Sequence, residues 1–527
     1  MAGPVETVRG DQHGGEGVSA RRGGQSLALA VLCTLLFLTF LDNTVVSVAL
    51  ANIYTNLGAS PTQLQWVVGA YALTFASLML ACGMIGDELG RKKVMLVGAG
   101  VFCAGSVLSA LAPNVQLLIA GRAVMGMGAA ASEPGTLSML RHLYPESRAR
   151  SRAIGIWAGT SGLALALGPV IGGLLVGAWD WRGIFWFNLA FGLAALLVAV
   201  VILPESADPT AARVDTAGFF LGAGALAAFV FAIIDSESAG FGGTDVIVLL
   251  CVSAVLVVAF GWWEGRAEHP LLDLRFLRVP QFTTPNIVAF CTYFSTFAIF
   301  FFTALYLVIV VTLSGFQLAL VFLPMTVLMI AASVLAGRWT AIVGPRWSIT
   351  IGCLLLAVGL FLSEGYLKPS PSYGPLIIAL ALAGIGIGTT VVPITSSVLS
   401  AVPAERSGMA ASATNTSREI GAVTAVAILG SLMFSQVNTT LATQMNHLHV
   451  PAIYQSFVFS AIETGNFSYP SNLSPYLKKL LVELQGVANN AFHDGLRTVL
   501  YLSAGLALAA AVLAFITLRS RPVDAGS

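Results

Sequence analysis

Residues 64–112 read LQWVVGAYALTFASLMLACGMIGDELGRKKVMLVGAGVFCAGSVLSALA. Two apolar runs, 64–86 and 94–112, flank a short polar turn that holds Asp87, Glu88, Gly90, Arg91, Lys92 and Lys93. Each run has about the ~20 residues that a helix rising ~1.5 Å per residue needs to cross a bilayer. Neither alternates apolar and polar residues as a half-buried strand would. The turn sets three bases on one side, which marks that side as cytoplasmic. The stretch therefore predicts a helical hairpin through a membrane with its bend inside.

Working outward, the same kind of run recurs at 26–50, 115–139, 153–177, 183–203, 215–235, 245–264, 286–311, 317–337, 347–366, 374–400, 408–434 and 496–518, making fourteen in all. The composition agrees. Apolar residues are 57% of the 527 and charged residues 10%, against about 25% charged in a soluble domain. A mean hydropathy of +0.85 excludes a water-soluble enzyme, and a net charge of +1 gives no basic face for nucleic acid. The six cysteines all sit in apolar runs without zinc or CxxC spacing, so they read as small apolar residues and no metal is expected. The one Gly-Arg-Lys site, 90–92, is followed by Lys93 rather than Ser or Thr, so it is not a phosphate loop. No nucleophile–base constellation stands out, and the chain reads as a non-enzyme.

With a cytoplasmic N-terminus, 19 bases fall on inside segments and 5 on outside ones, which places both termini in the cytoplasm and supports an even span count. Gly83, Gly90 and Lys92 match Gly337, Gly344 and Arg346 at a constant offset of 254 residues, so the chain carries an internal repeat. The expected fold class is an all-α integral membrane protein with fourteen transmembrane helices. A polar tail, 1–25, is expected to be disordered. An N-terminal six-helix bundle (26–203), a two-helix insertion (215–264) and a C-terminal six-helix bundle (286–518) follow, the last with a long outer loop at 435–495. Leu477, Leu480, Leu481 and Leu484 in that loop predict an amphipathic helix on the outer surface. Paired repeats of this kind are a transporter design, with solute between the halves near the midplane.

Three carboxylates lie inside predicted spans: Asp42, Glu133 and Glu419. An ionisable group in hydrocarbon must face a cavity or a partner, and low dielectric favours its neutral form, so it can exchange a proton. Structural ion pairs are the alternative. Asp42 is ~12 Å from the outer end of the first span and Arg122 ~10 Å from the outer start of the fourth, so the two can meet. Glu133 follows Arg122 by eleven residues, on the same helical side and ~16 Å deeper. Arg418 and Glu419 are adjacent and point ~100° apart. Tyr293, Phe294, Phe297 and Phe301 form an aromatic stripe that could line a pocket for lipophilic cations or pack against lipid and protein.

Four stretches carry a family resemblance. They are Leu41-Asp42-Asn43-Thr44-Val45-Val46, the 83–93 turn, Arg122 with Gly126-Met127-Gly128, and Gly168-Pro169 with Gly172-Gly173. Together they resemble the major facilitator superfamily, in its fourteen-span drug:proton antiporter branch. Ala51, Glu88 and Met125 depart from that pattern.

The resemblance implies a cytoplasmic gate built on Gly83, Asp87, Gly90 and Arg91, and a packed outer seal at Gly168, Pro169, Gly172 and Gly173. It also implies a proton-coupled exporter of amphipathic, cationic drugs in the plasma membrane. Such a carrier uses no cofactor beyond the proton gradient and works as a monomer in the lipid bilayer on a small lipophilic substrate. The expected division of labour has Asp42, with Arg122, sensing the proton and Glu133 attracting the substrate's charge. A dedicated exporter of one natural product or lipid, or a proton-coupled importer, would share the fold.

Overall fold

The computed structural model describes residues 14–205, 215–240, 242–268, 270–367, 372–403, 406–447 and 475–519, and among these all regular structure is helical. The N-terminal half holds α1 (Gly14–Leu57), α2 (Pro61–Leu89), α3 (Arg91–Ala110), α4 (Val115–Leu143), α5 (Ser147–Ala178) and α6 (Arg182–Ile202). Next come α7 (Thr216–Ala239) and α8 (Thr244–Glu264). The C-terminal half begins with α9 (Pro280–Phe297), a π-helical turn (Ala298–Thr303) and α10 (Ala304–Ile309), which together make one span. It continues with α11 (Gly315–Val343), α12 (Pro345–Tyr366), α13 (Tyr373–Ser400), α14 (Ser407–His447) and the last helix, α15 (Pro475–Thr517).

Among the described residues, thirteen segments are long and apolar enough to cross a membrane. α2, 29 residues long, supplies a fourteenth apolar helix, with Thr62, Gln63 and Gln65 near one end and Asp87 and Glu88 near the other. Large apolar side chains stay exposed around the outside, among them Val201 (82%), Ile342 (75%) and Val258 (72%), as a lipid-facing belt requires.

The internal repeat is physical. Gly90 and Gly344 hold φ of +111° and +83° at the turns before α3 and α12, a conformation that side chains with a Cβ resist. The same 254-residue offset links Gly98 to Gly352 and Gly105 to Gly359. A Cβ on Gly98 would come within 2.7 Å of Gly128 O, and one on Gly352 within 3.0 Å of Gly386 O. So α3 packs backbone to backbone on α4, and α12 packs likewise on α13.

The halves meet along two seams, α2 with α14 and α5 with α11. The first runs from Gln65 against Gly430 at the outer end to Gly83 against Ser412 at the face bearing the arginine-rich loops, hereafter the inner face. The second runs from Gly173 against Gly315 to Gly162 against Ser333. Both seams hold the two halves in contact from end to end. α7 and α8 sit outside this core, with α7 against α2 and α14.

Three expectations need correction. The tail expected at 1–25 is helical from Gly14 and is tied down by Gln25, whose Nε2 donates to Leu143 O (3.0 Å) and whose carbonyl accepts from Tyr144 Oη (2.9 Å). The outer loop expected at 435–495 is helix at 435–447 and from 475 on, because α14 and α15 keep packing on each other above the span. Phe492 touches Tyr306 and Phe434 there, with ring centroids 6.0 and 6.3 Å apart. The separate surface helix expected around Leu477 is instead the first part of α15; the side chains of Leu477, Leu480, Leu481 and Leu484 lie outside the described residues.

Candidate functional site

Five charged side chains are buried near the middle of the bundle: Asp42, Arg122, Glu133, Arg418 and Glu419, none more than 2% exposed. Asp42 on α1 forms an ion pair with Arg122 on α4 and accepts from Asn188 Nδ2 on α6 at 2.7 Å. Arg122 is held from a third helix as well: Nε donates to Val67 O (2.9 Å), and the guanidinium lies 4.5 Å from the Tyr71 ring centre. The levels estimated from helical rise thus meet as expected. This ion-paired cluster belongs wholly to the N-terminal half.

The other carboxylates join the halves. Asn43 Nδ2 on α1 donates to Glu419 Oε1 on α14 at 2.8 Å. Asn415 Nδ2 on α14 donates to Glu133 Oε1 on α4 at 2.6 Å. Each half therefore offers an amide to the other half's acid. Arg418 reaches Asn415 Oδ1 (3.1 Å) and Thr395 Oγ1 (2.7 Å), and stacks 5.4 Å from the Tyr293 ring centre. As helical geometry requires, Arg418 and Glu419 go to different partners. Both Glu133 Oε2 and Glu419 Oε2 are buried without a hydrogen-bond partner among the described residues. Three acids face two guanidiniums, so with all five ionised the closed site carries one uncompensated negative charge.

The aromatic stripe faces protein rather than lipid. Tyr293, Phe294, Phe297 and Phe301 are 4% exposed or less, and the π turn that starts at Ala298 brings Phe300, Phe301 and Phe302 inward together. Only Tyr293 stands beside a charged group of the site.

The glycines of α5 sit at close helix contacts. Gly168 lies against Thr44, and a Cβ on Gly172 would come within 2.7 Å of Val45 O, both on α1. A Cβ on Gly173 would come within 2.5 Å of Gly315 O and 2.8 Å of Ala319 Cβ on α11. Pro169 is buried inside α5. The motif therefore fixes α5 to its own half and to the opposite one at the same time.

At the inner end of α2, a Cβ on Gly83 would contact Ser412 Oγ (3.4 Å) and Pro134 Cβ (3.5 Å), so this end of α2 abuts both halves. Arg91 opens α3 half-buried, while the Asp87 side chain lies outside the described residues. Glu205, absent from the sequence reasoning, closes over the Gly90 turn and accepts from Lys92 N at 3.1 Å. A second inner tie was also missed. Asp273 accepts from Arg275 Nη2 (2.9 Å) and pairs with Arg406 Nη1 (2.6 Å), joining the segment after α8 to the one after α13. The Arg275 hydrogen bond holds the Asp273 carboxyl below the usual carboxylate range. Asn415 gave one signal that could have found it: an amide three residues, about one helical turn, before Arg418 inside a predicted span.

A model of the Major Facilitator Superfamily matches residues 32–426. The chain is 31% identical over 472 residues to multidrug resistance protein Stp of Mycobacterium tuberculosis, covering 89% of this chain and 87% of that one. It is 33% identical to the methylenomycin A resistance protein of Streptomyces coelicolor (81% and 89% covered). Multidrug efflux pump LfrA of Mycolicibacterium smegmatis is 28% identical (94% and 96% covered). In fold it is similar to a bacterial homolog of the human lysosomal transporter Spinster, inward-facing and unoccupied, with a TM-score of 0.61 at 17% identity, covering 94% and 97%.

Proposed function

Because the chain belongs to the major facilitator superfamily, we propose that it is a proton-coupled exporter of amphipathic, cationic drugs. It works as a monomer in the plasma membrane with both termini in the cytoplasm. Relatives named for multidrug resistance and efflux support the drug-export reading. The observation that carries the coupling is the charge count of the sealed site, three carboxylates to two guanidiniums.

A lone net charge in low dielectric costs several kcal/mol. The closed carrier is therefore favourable in two states only: with a cationic drug inside, or with one proton. Glu133 and Glu419, each with an unpartnered oxygen between the halves, attract the drug's charge. Asp42 takes the proton once the drug has left, and its neutralisation releases Arg122 from the ion pair. The two ligands never need to share an atom, because they compete through the total charge. One monovalent cation then leaves for each proton that enters.

Reconstituted vesicles test this, by proton movement when tetraphenylphosphonium is added. The assignment fails if Asp42→Asn and Glu133→Gln both exchange drug for protons at wild-type rates. A dedicated exporter of one natural product is the second reading, favoured by relatives named for resistance to a single compound, methylenomycin A and tetracenomycin C. A resistance panel of unrelated cations separates the two.

A further inference from the structure

A cavity of about 420 Å³ lies outside the central site, between the α2/α14 seam and the two helices that stand between the halves. α7 seals the outer part of that seam. Trp66 and Phe231 have ring centres 4.4 Å apart, and Ser236 Oγ is 3.1 Å from Ser431 Oγ. Towards the inner face α7 stands away, and the gap is walled by Phe219, Leu226 and Phe229 of α7, Phe260 of α8, Ser77 of α2 and Thr416 of α14. Val257 and Leu277 on its wall are 56% and 43% exposed, so it opens sideways at the level of the inner leaflet.

The cavity is apolar and aromatic, yet Ser77 Oγ, Thr416 Oγ1 and Asn286 Oδ1, all on lining residues, are buried without hydrogen-bond partners among the described residues. Glu264 stands behind its inner end, 3% exposed. Glu264 Oε2 accepts from Leu272 N at 3.1 Å, but Oε1 has no partner among the described residues. That oxygen lies against Gly218, a lining residue, where a Cβ would come within 2.5 Å of it. The neighbouring Asp215 is occupied, capping α7 and accepting from Trp263 Nε1 at 2.8 and 2.9 Å.

We infer that this cavity admits the drug: it binds a lipophilic aromatic cation from the inner leaflet before the cation passes between α2 and α14 to the centre. The inference rests on the export reading above. The volume is that of a drug-sized pocket. Aromatic walls backed by a carboxylate with no cation beside it among the described residues suit a delocalised cation, whereas the carboxylate repels the anionic headgroups of the inner leaflet. One stretch of α14 serves both sites, with Ala413, Thr416 and Ile420 on the cavity and Asn415, Arg418 and Glu419 on the centre. The two inserted helices thus have a task, to hold substrate beside the seam that must part for it.

The test uses the full chain in inside-out vesicles, with tetraphenylphosphonium and its azido derivative as probes. Photolabelling of wild type is expected on α7 and α8 and is competed by unlabelled probe. Glu264→Gln, which keeps the shape, and Leu226→Trp, which fills the cavity, are each expected to raise KM for tetraphenylphosphonium about tenfold with kcat kept. Glu264→Gln is expected to leave photolabelling of the cavity by an uncharged aromatic probe unchanged. Unaltered KM in both variants, in a wild type that transports the probe, overturns the inference and leaves the export reading standing. Labelling that unlabelled probe does not displace, or a phospholipid retained in the cavity under competition, also overturns it. A wild type that neither binds nor transports any lipophilic cation overturns both.

Discussion

Removing the charge of Asp42 leaves Arg122 in the interior with what else holds it, the Val67 carbonyl and the face of Tyr71. Breaking one side of a buried pair costs about 3–5 kcal/mol. Those two remaining contacts put Asp42→Asn at the low end, about 3 kcal/mol. Arg122→Gln strands the carboxylate with Asn188 as its one remaining donor among the described residues, and about 4 kcal/mol is expected. The double variant buries no stranded charge and loses only neutral hydrogen bonds, about 1–2 kcal/mol in total. The singles should therefore sum to far more than the double, with a coupling of at least ~3 kcal/mol. Unfolding of the purified protein in mixed detergent–SDS micelles measures all four corners of the cycle. Additivity within about 0.5 kcal/mol would refute the claim that this pair is a buried, mutually dependent unit. The double variant is expected to regain stability yet remain uncoupled, which separates folding from proton transfer.

Four further outcomes are expected. Gly173→Val sets side-chain atoms against the Gly315 carbonyl and should open the outer seal, seen as proton leak into vesicles without drug. Export of a monovalent cation should be indifferent to an imposed membrane potential, and export of a divalent cation should respond to it. Glu419→Gln should weaken binding of cationic drugs about tenfold, as loss of one charged contact does, and spare neutral ones. Asp273 has a carboxyl held low by Arg275, so its tie is intact above the ordinary value of ~4 and is lost as pH falls through the lowered one. Protease cutting near Arg406 should accelerate only in that acid range, whereas Asp273→Asn should be cut quickly at neutral pH too.

The spans were legible because the bilayer imposes length and apolarity on each helix, and the 254-residue offset survived because the turns at Gly90 and Gly344 tolerate little else. Asp42 and Arg122 could be matched by depth, since helical rise is fixed. What stayed hidden depends on side-chain direction between distant segments. Asn43 and Asn415 carry no charge to draw notice, yet they make the bonds between halves. The outer ends of α14 and α15 were misread because their polar residues resemble a loop, while Ala488, Ala491 and Phe492 continue the packing. Glu264 ends an apolar run, where an acid usually meets water, and its burial shows only once the chain returns to put Leu272 N on it.

The two crossing bonds, Asn43 to Glu419 and Asn415 to Glu133, join an amide to an acid rather than a cation to an anion. An amide both gives and accepts hydrogen, so it can re-form its link with the acid whether that acid is charged or neutral. Two such fasteners represent about 3–6 kcal/mol, a threshold thermal motion crosses many times a second. A carrier that rocks both laden and empty benefits from clasps of this kind, which neither lock one journey nor prevent the other.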